Sequence, residues 1–145
     1  MPRRPVAAVA AIVLVLEALG IVFVHWVLAR MVDGQNMSLG GLDPDLMFDA
    51  TWAMGGAMGL FLAGCGVVLL RTAVGDRAPG RFGRVLLIGC AIVHGVLGAL
   101  TAGLVGWDAF AFMMAVLGLL VLTLVLYEKQ PVEPVAQAGL TPTDP

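Results

Sequence analysis

Glu17 is a carboxylate set inside an otherwise apolar run, residues 6–29, which only it and His25 interrupt. If the run is helical, Glu17 lies eleven residues after Val6, or ~16 Å along the axis. That is near the middle of a hydrocarbon core ~30 Å thick. A charge at that depth costs about 3 kcal/mol even on the lenient insertion scale, so an intramembrane carboxyl is a functional candidate by default. His94 lies twelve residues after Phe82 in another apolar run, 82–105. The two runs would cross in the same direction and hold Glu17 and His94 at nearly the same depth. They can therefore meet in the interior as an acid–imidazole pair. His94 shares its helical face with Ala91, Gly98 and Thr101, a small and partly polar surface, and Glu17 shares its face with Gly20. Two readings are open. Either the pair is mutually hydrogen-bonded and fixes helix register, or it relays protons or holds a coupling ion.

The other candidates have simpler explanations. His25 lies ~12 Å beyond Glu17, beside Trp26 and near Arg30, where an interface makes a histidine inexpensive. A haem held between His25 and His94 in one chain is disfavoured, because their depths differ by ~10 Å. Soft-metal capture by Met31, Met37, Met47 and His25 is conceivable, but these methionines follow no short repeat. Cys65 and Cys90 fall in apolar runs and read as small core residues, with no CxxC spacing beside them. Asp43, Asp45 and Asp49 read as helix-starting acids rather than a cation site. No Ser/His/Asp set, nucleotide loop or acidic metal cluster is visible, so no catalytic, cofactor or metal site is expected.

The elements that position Glu17 and His94 follow from composition and charge placement. The 145 residues are 60% hydrophobic and 12% charged, against about 25% charged in soluble domains. With a mean hydropathy of +0.98, this excludes a soluble enzyme, a nucleic-acid binder and a disordered chain. Four stretches suit membrane helices, residues 6–29, 48–70, 82–105 and 109–127, since open strands cannot satisfy their backbone in lipid. The expected fold is an all-α, antiparallel bundle of four transmembrane helices over 1–129, with a disordered tail at 130–145. The first run is too long for a signal-peptide core and reads as a retained helix. Arg3, Arg4, Arg71, Arg77, Arg81, Arg84 and Lys129 fall on one side and only Arg30 on the other. This places both termini in the cytoplasm. Trp26, Trp52 and Trp107 gather at the outer ends, and Tyr127 marks an inner end. Seven arginines to one lysine, with much Ala, Gly and Val, suggest a bacterial plasma membrane and give the Asn36-Met37-Ser38 sequon little weight. Asp33-Gly34 and Gly40-Gly41 read as turns. Asp43-Pro44-Asp45 reads as a helix start at Pro44, with Asp108 capping the fourth helix in the same way. The basic loop 72–81 should lie against anionic headgroups.

Small residues at four-residue spacing let helices approach closely in lipid. Gly55 and Gly59 in the second run, and Ala91, Gly95, Ala99 and Gly103 in the third, make these two the expected tight pair. The motif Leu16-Glu17-Ala18-Leu19-Gly20 resembles the first helix of the small multidrug resistance transporters. The resemblance implies a glutamate that binds protons and cationic drugs in turn. It covers about five residues. The later runs depart from that family's aromatic and Gly/Pro pattern, and the charge bias departs from its common dual topology. The expected function is non-enzymatic: an accessory, assembly or envelope component, surrounded by the lipid bilayer and joined to a protein partner or to further copies of itself. The alternative is a small proton-coupled transporter using Glu17 with His94.

Overall fold

A computed structural model describes residues 3–35, 41 and 43–128. These form four helices: α1 (Arg3–Gln35), α2 (Pro44–Gly75), α3 (Arg81–Leu104) and α4 (Trp107–Leu126). Each is long and apolar enough to cross a membrane. The sequon at 36–38, Met37, Gly40, Lys129 and the segment 130–145 lie outside the described residues.

The helix ends show local chemistry at work. Asp43 is the N-cap of α2, its side chain accepting from the Asp45 N–H at 2.9 Å, with Pro44 in the first turn. Asp108 does not cap α4. Gly106 takes that position at φ 133° and leaves Asp108 in the first turn, where a carboxylate still complements the helix dipole. Only glycine adopts that φ without strain. The expected turn at Asp33-Gly34 is helical instead, since one glycine costs a helix only about 1 kcal/mol. At its other end α2 runs on to Gly75, and Asp76 ends it in the left-handed region at φ 48°. The basic loop therefore shrinks to 76–80.

Contacts fix the neighbours. Arg4 reaches Ala73 and Val74; Gly66 lies against Ala11 and Val15, Gly59 against Ala18 and Val22, and Gly55 against His25. The order is reversed, so α1 and α2 run in opposite directions. α3 and α4 are likewise reversed, with Gly98 under Met113 and Met114 and Arg84 beside Glu128. α1 also packs on α4. No α1 Cα comes within 8 Å of an α3 Cα, nor α2 of α4. The cyclic order is therefore α2, α1, α4, α3. Leu14, Leu62, Cys65, Leu69, Leu87, Cys90, Val116 and Leu120 form the shared core.

The tight pair is α1–α2, not α2–α3, which has the slightest contact of any neighbouring pair. Gly55, Gly59 and Gly66 all turn towards α1, whereas α3 meets α2 only near one end, Leu86 against Gly64 and Gly83 against Val68. The stripe Ala91, Gly95, Ala99, Gly103 is not the packing face of α3. A four-residue step overshoots the 3.6-residue turn by ~40°, so the stripe winds outward. Ala91 touches the core and Gly95 approaches Leu117, but Ala99 and Gly103 are exposed. The buried face is Gly83, Leu87, Cys90, His94 and Gly98. The remaining surface is apolar, with Leu60 77% and Phe82 80% exposed.

A methyl group at Gly59 would collide with Val22, while one at Gly56 meets nothing within 4 Å. Gly59→Val should lower the melting temperature in detergent, at a cost of about 1–3 kcal/mol. Gly56→Val should leave it close to wild type, and thermal unfolding followed by circular dichroism checks both.

Candidate functional site

α1 and α3 sit diagonally across the bundle, and one side-chain hydrogen bond joins them. His94 Nε2 lies 3.0 Å from Glu17 Oε2. On the other side of the ring, Nδ1 is 2.8 Å from the Cys90 carbonyl and 3.6 Å from Cys90 Sγ. A carbonyl only accepts, so Nδ1 carries a hydrogen and donates to it. This leaves Nε2 to Glu17 in one of two ways. A protonated carboxyl donates to a neutral imidazole, or an imidazolium donates to a carboxylate. Both arrangements hold the same single proton between Nε2 and Oε2, and the pair is neutral overall. Such a pair is far less costly to bury than either charge alone.

The pair is largely buried. The His94 side chain is 4% exposed and that of Glu17 10%. Glu17 Oε1 is fully buried and has no hydrogen-bond partner in the structure. Two crevices that open on the outside of the helices have Glu17 in their walls. One, of about 220 Å³, is lined by residues of all four helices, including Ile21, Met58, Leu97 and Phe112. The other, of about 340 Å³, lies between Val13, Leu16 and Phe112. Their walls are apolar, because Oε1 is covered and the other oxygen is spent on His94. Leu87 and Cys90 are buried on the same face of α3 as His94, and Cys65 Sγ points to the Leu86 carbonyl at 3.8 Å. The buried hydroxyls turn back on their own helices, Thr72 to Val68 and Thr123 to Leu119.

The structure keeps the other sequence candidates apart. His25 donates from Nδ1 to the Ile21 carbonyl at 2.9 Å and packs its Cβ on Gly55, well away from His94. Trp26, Trp52 and Trp107 are exposed at the end that also holds Arg30, whose only ionic neighbour among the described residues is Asp33 at 3.9 Å. Among the described residues no three His, Cys, Asp or Glu side chains gather closely enough to hold a metal ion.

Compared with known proteins, the chain matches no family model, no curated sequence and no solved structure. The five-residue likeness around Glu17 thus stands without a family match behind it, and function rests on geometry alone.

A second polar cluster at the opposite end escaped the sequence reading. The Arg3 guanidinium grips both oxygens of Asp76, at 2.9 and 3.1 Å, and stacks 5.5 Å from the Tyr127 ring centroid. The Tyr127 hydroxyl donates to the same carboxylate at 3.3 Å. The start of α1, the end of α2 and the end of α4 are thereby tied together. Hydrogen bonding to Arg3 holds the Asp76 carboxyl below its ordinary value of 3.8, outweighing the upward push of desolvation. Arg4 meanwhile caps the last α2 carbonyls, Ala73 at 3.3 Å and Val74 at 3.0 Å. Arg3 and Asp76 are 73 residues apart, a separation at which no local pattern links them.

Two outcomes follow. Glu17→Gln should leave stability nearly unchanged, because the amide can still donate to His94 Nε2. Glu17→Leu strands the imidazole and should cost about 1 kcal/mol, read as a lower melting temperature. Separately, a carboxyl held below its ordinary pKa stabilises the fold above that value and loses the effect as pH falls through the lowered one. The melting-temperature gap between wild type and Asp76→Asn should stay constant from pH 7 to about pH 5 and close below about pH 4.

Proposed function

We propose that the chain is an integral protein of a bacterial plasma membrane that crosses the bilayer four times as an antiparallel bundle. Both termini lie in the cytoplasm, and the protein works without catalysis as an accessory or assembly component. Four helices of sufficient length with apolar outer surfaces support the membrane reading, since exposed apolar area on this scale calls for an apolar surrounding. The arginine-rich end beside Asp76 supports the cytoplasmic placement of both termini.

The observation that carries the functional reading is that the Glu17–His94 pair has no polar approach. A carboxyl that exchanged protons or ions with water would need a polar approach. Here one oxygen is bonded to His94, the other is covered by protein, and the adjoining cavities are walled by apolar side chains. This favours a lock that joins α1 to α3 over a transport site.

The proton-coupled alternative keeps one observation in its favour. Glu17 Oε1 lacks a partner, and the cavities beside it leave room for the side chain to turn. Proteoliposomes separate the two readings. The rate at which an imposed pH gradient collapses should be the same for wild type and Glu17→Gln, while wild type purified from its native membrane should retain a stoichiometric partner or self-associate. Gradient collapse that requires Glu17 would replace the accessory reading with the transport one. A C-terminal green fluorescent protein should fluoresce, and alkaline phosphatase inserted within 31–47 should be active.

A further inference from the structure

The described residues at the inner end include six arginines, Arg3, Arg4, Arg71, Arg77, Arg81 and Arg84, against two carboxylates, Asp76 and Glu128. Both carboxylates are engaged: Asp76 by Arg3, and Glu128 by Arg84 at 3.2 Å. Arg4 is spent on backbone carbonyls. Arg71, Arg77 and Arg81 have no partner among the described residues, and all three surround the corner where α2 gives way to α3.

That corner is hollow. A cavity of about 340 Å³ is lined by Arg71, Arg77 and Phe82, with Val68 and the Pro79-Gly80 turn. A second, of about 330 Å³, shares the turn and is lined by Arg81 and Arg84 together with Tyr127 and the Glu128 carboxylate, so the first is the one free of acid. The first turn of α3 opens onto both. Its N-cap is Gly80, which offers no side-chain acceptor, and no acid lies in that turn, so its free N–H groups add to the positive field. Guanidinium groups match phosphate oxygens in pairs. The apolar wall decides what carries the phosphate. Phe82 is almost fully exposed, and above this corner α2 and α3 barely touch. Acyl chains therefore find an apolar seam directly beside the arginines, which a free phosphate would not need.

We infer that the α2–α3 corner is a binding site for the phosphate of an anionic phospholipid, held by Arg71 and Arg77 at the first cavity, with Arg81 adding charge from the start of α3 and the chains along the α2–α3 seam. The site rests on the membrane reading, which is tested separately by whether the protein stays with membranes through an alkaline carbonate wash.

The test is native mass spectrometry of the full chain in detergent, titrated with phosphatidylglycerol, with phosphatidylcholine of the same chains, and with inorganic phosphate as competitor. Phosphatidylglycerol should bind on the order of tenfold tighter than phosphatidylcholine. Arg77→Gln should erase most of that preference. Arg4→Gln, which removes one charge from the same end, should keep it. Should the glutamine variant fail to insert, Arg71→Lys with Arg77→Lys preserves the charge and should still weaken phosphatidylglycerol several-fold, since lysine lacks the paired donors. Equal binding of the two lipids, or equal losses in Arg77→Gln and Arg4→Gln, overturns the site. Displacement of phosphatidylglycerol by inorganic phosphate at matching concentration overturns the lipid in favour of a free anion.

Discussion

The hydrogen bond between Glu17 and His94 joins the two helices that otherwise stand apart. α1 and α3 occupy opposite corners, and no pair of their Cα atoms comes within 8 Å, so leucine and cysteine side chains fill the space between them. Apolar packing of this kind tolerates rotation and sliding of one helix against another. A directional bond between two particular atoms does not. Its strength is enforced by apolar surroundings that offer Glu17 no other partner and leave His94 Nε2 none but the glutamate. The Cys90 carbonyl adds a second constraint by fixing which imidazole nitrogen bears hydrogen. The ring is thus aimed by its own helix before it meets the glutamate.

Around this diagonal the two sides of the bundle are built differently. α1 and α2 lie close because glycines on one helix receive alanine and valine from the other, a contact that is tight and intolerant of added volume. α3 and α4 meet through Met113, Met114 and Leu117 over Gly98 and Gly95, a looser and more adaptable packing. The seam between α2 and α3 is nearly open. Arg3, Asp76 and Tyr127 compensate at one end by tying α1, α2 and α4 with charge-assisted bonds.

The four helices, the start of α2 at Pro44 and the burial of Cys65 and Cys90 were legible in the sequence. Hydropathy sets where helices form, and Asp43-Pro44 is a local signal. Glu17 and His94 could be singled out because each breaks an apolar run and equal helical depth is simple geometry. Which helices pack closely was not legible. Four-residue spacing shows only that small residues share a face, and the ~40° drift per step carries Ala99 and Gly103 away from contact while Gly98, read only as a neighbour of His94, takes the buried place. The Asp76 cluster was hidden for a different reason. Its members are a terminal arginine, a loop aspartate and a boundary tyrosine, each of which has an ordinary local role.

The separation of the two bonded residues has a consequence for synthesis. Glu17 and His94 are 77 positions apart, and a ribosome adding about 5–20 residues per second delivers the histidine roughly 4–15 s after the glutamate. The first hairpin is complete once Gly75 is added, roughly 1–4 s before the histidine at that rate, and its glycine contacts need nothing from the second. For the last of those seconds the glutamate is a polar group without its mate, held on a finished hairpin. The nascent chain therefore passes through a stage at which the carboxyl is uncovered, and arrival of α3 ends that stage by covering it.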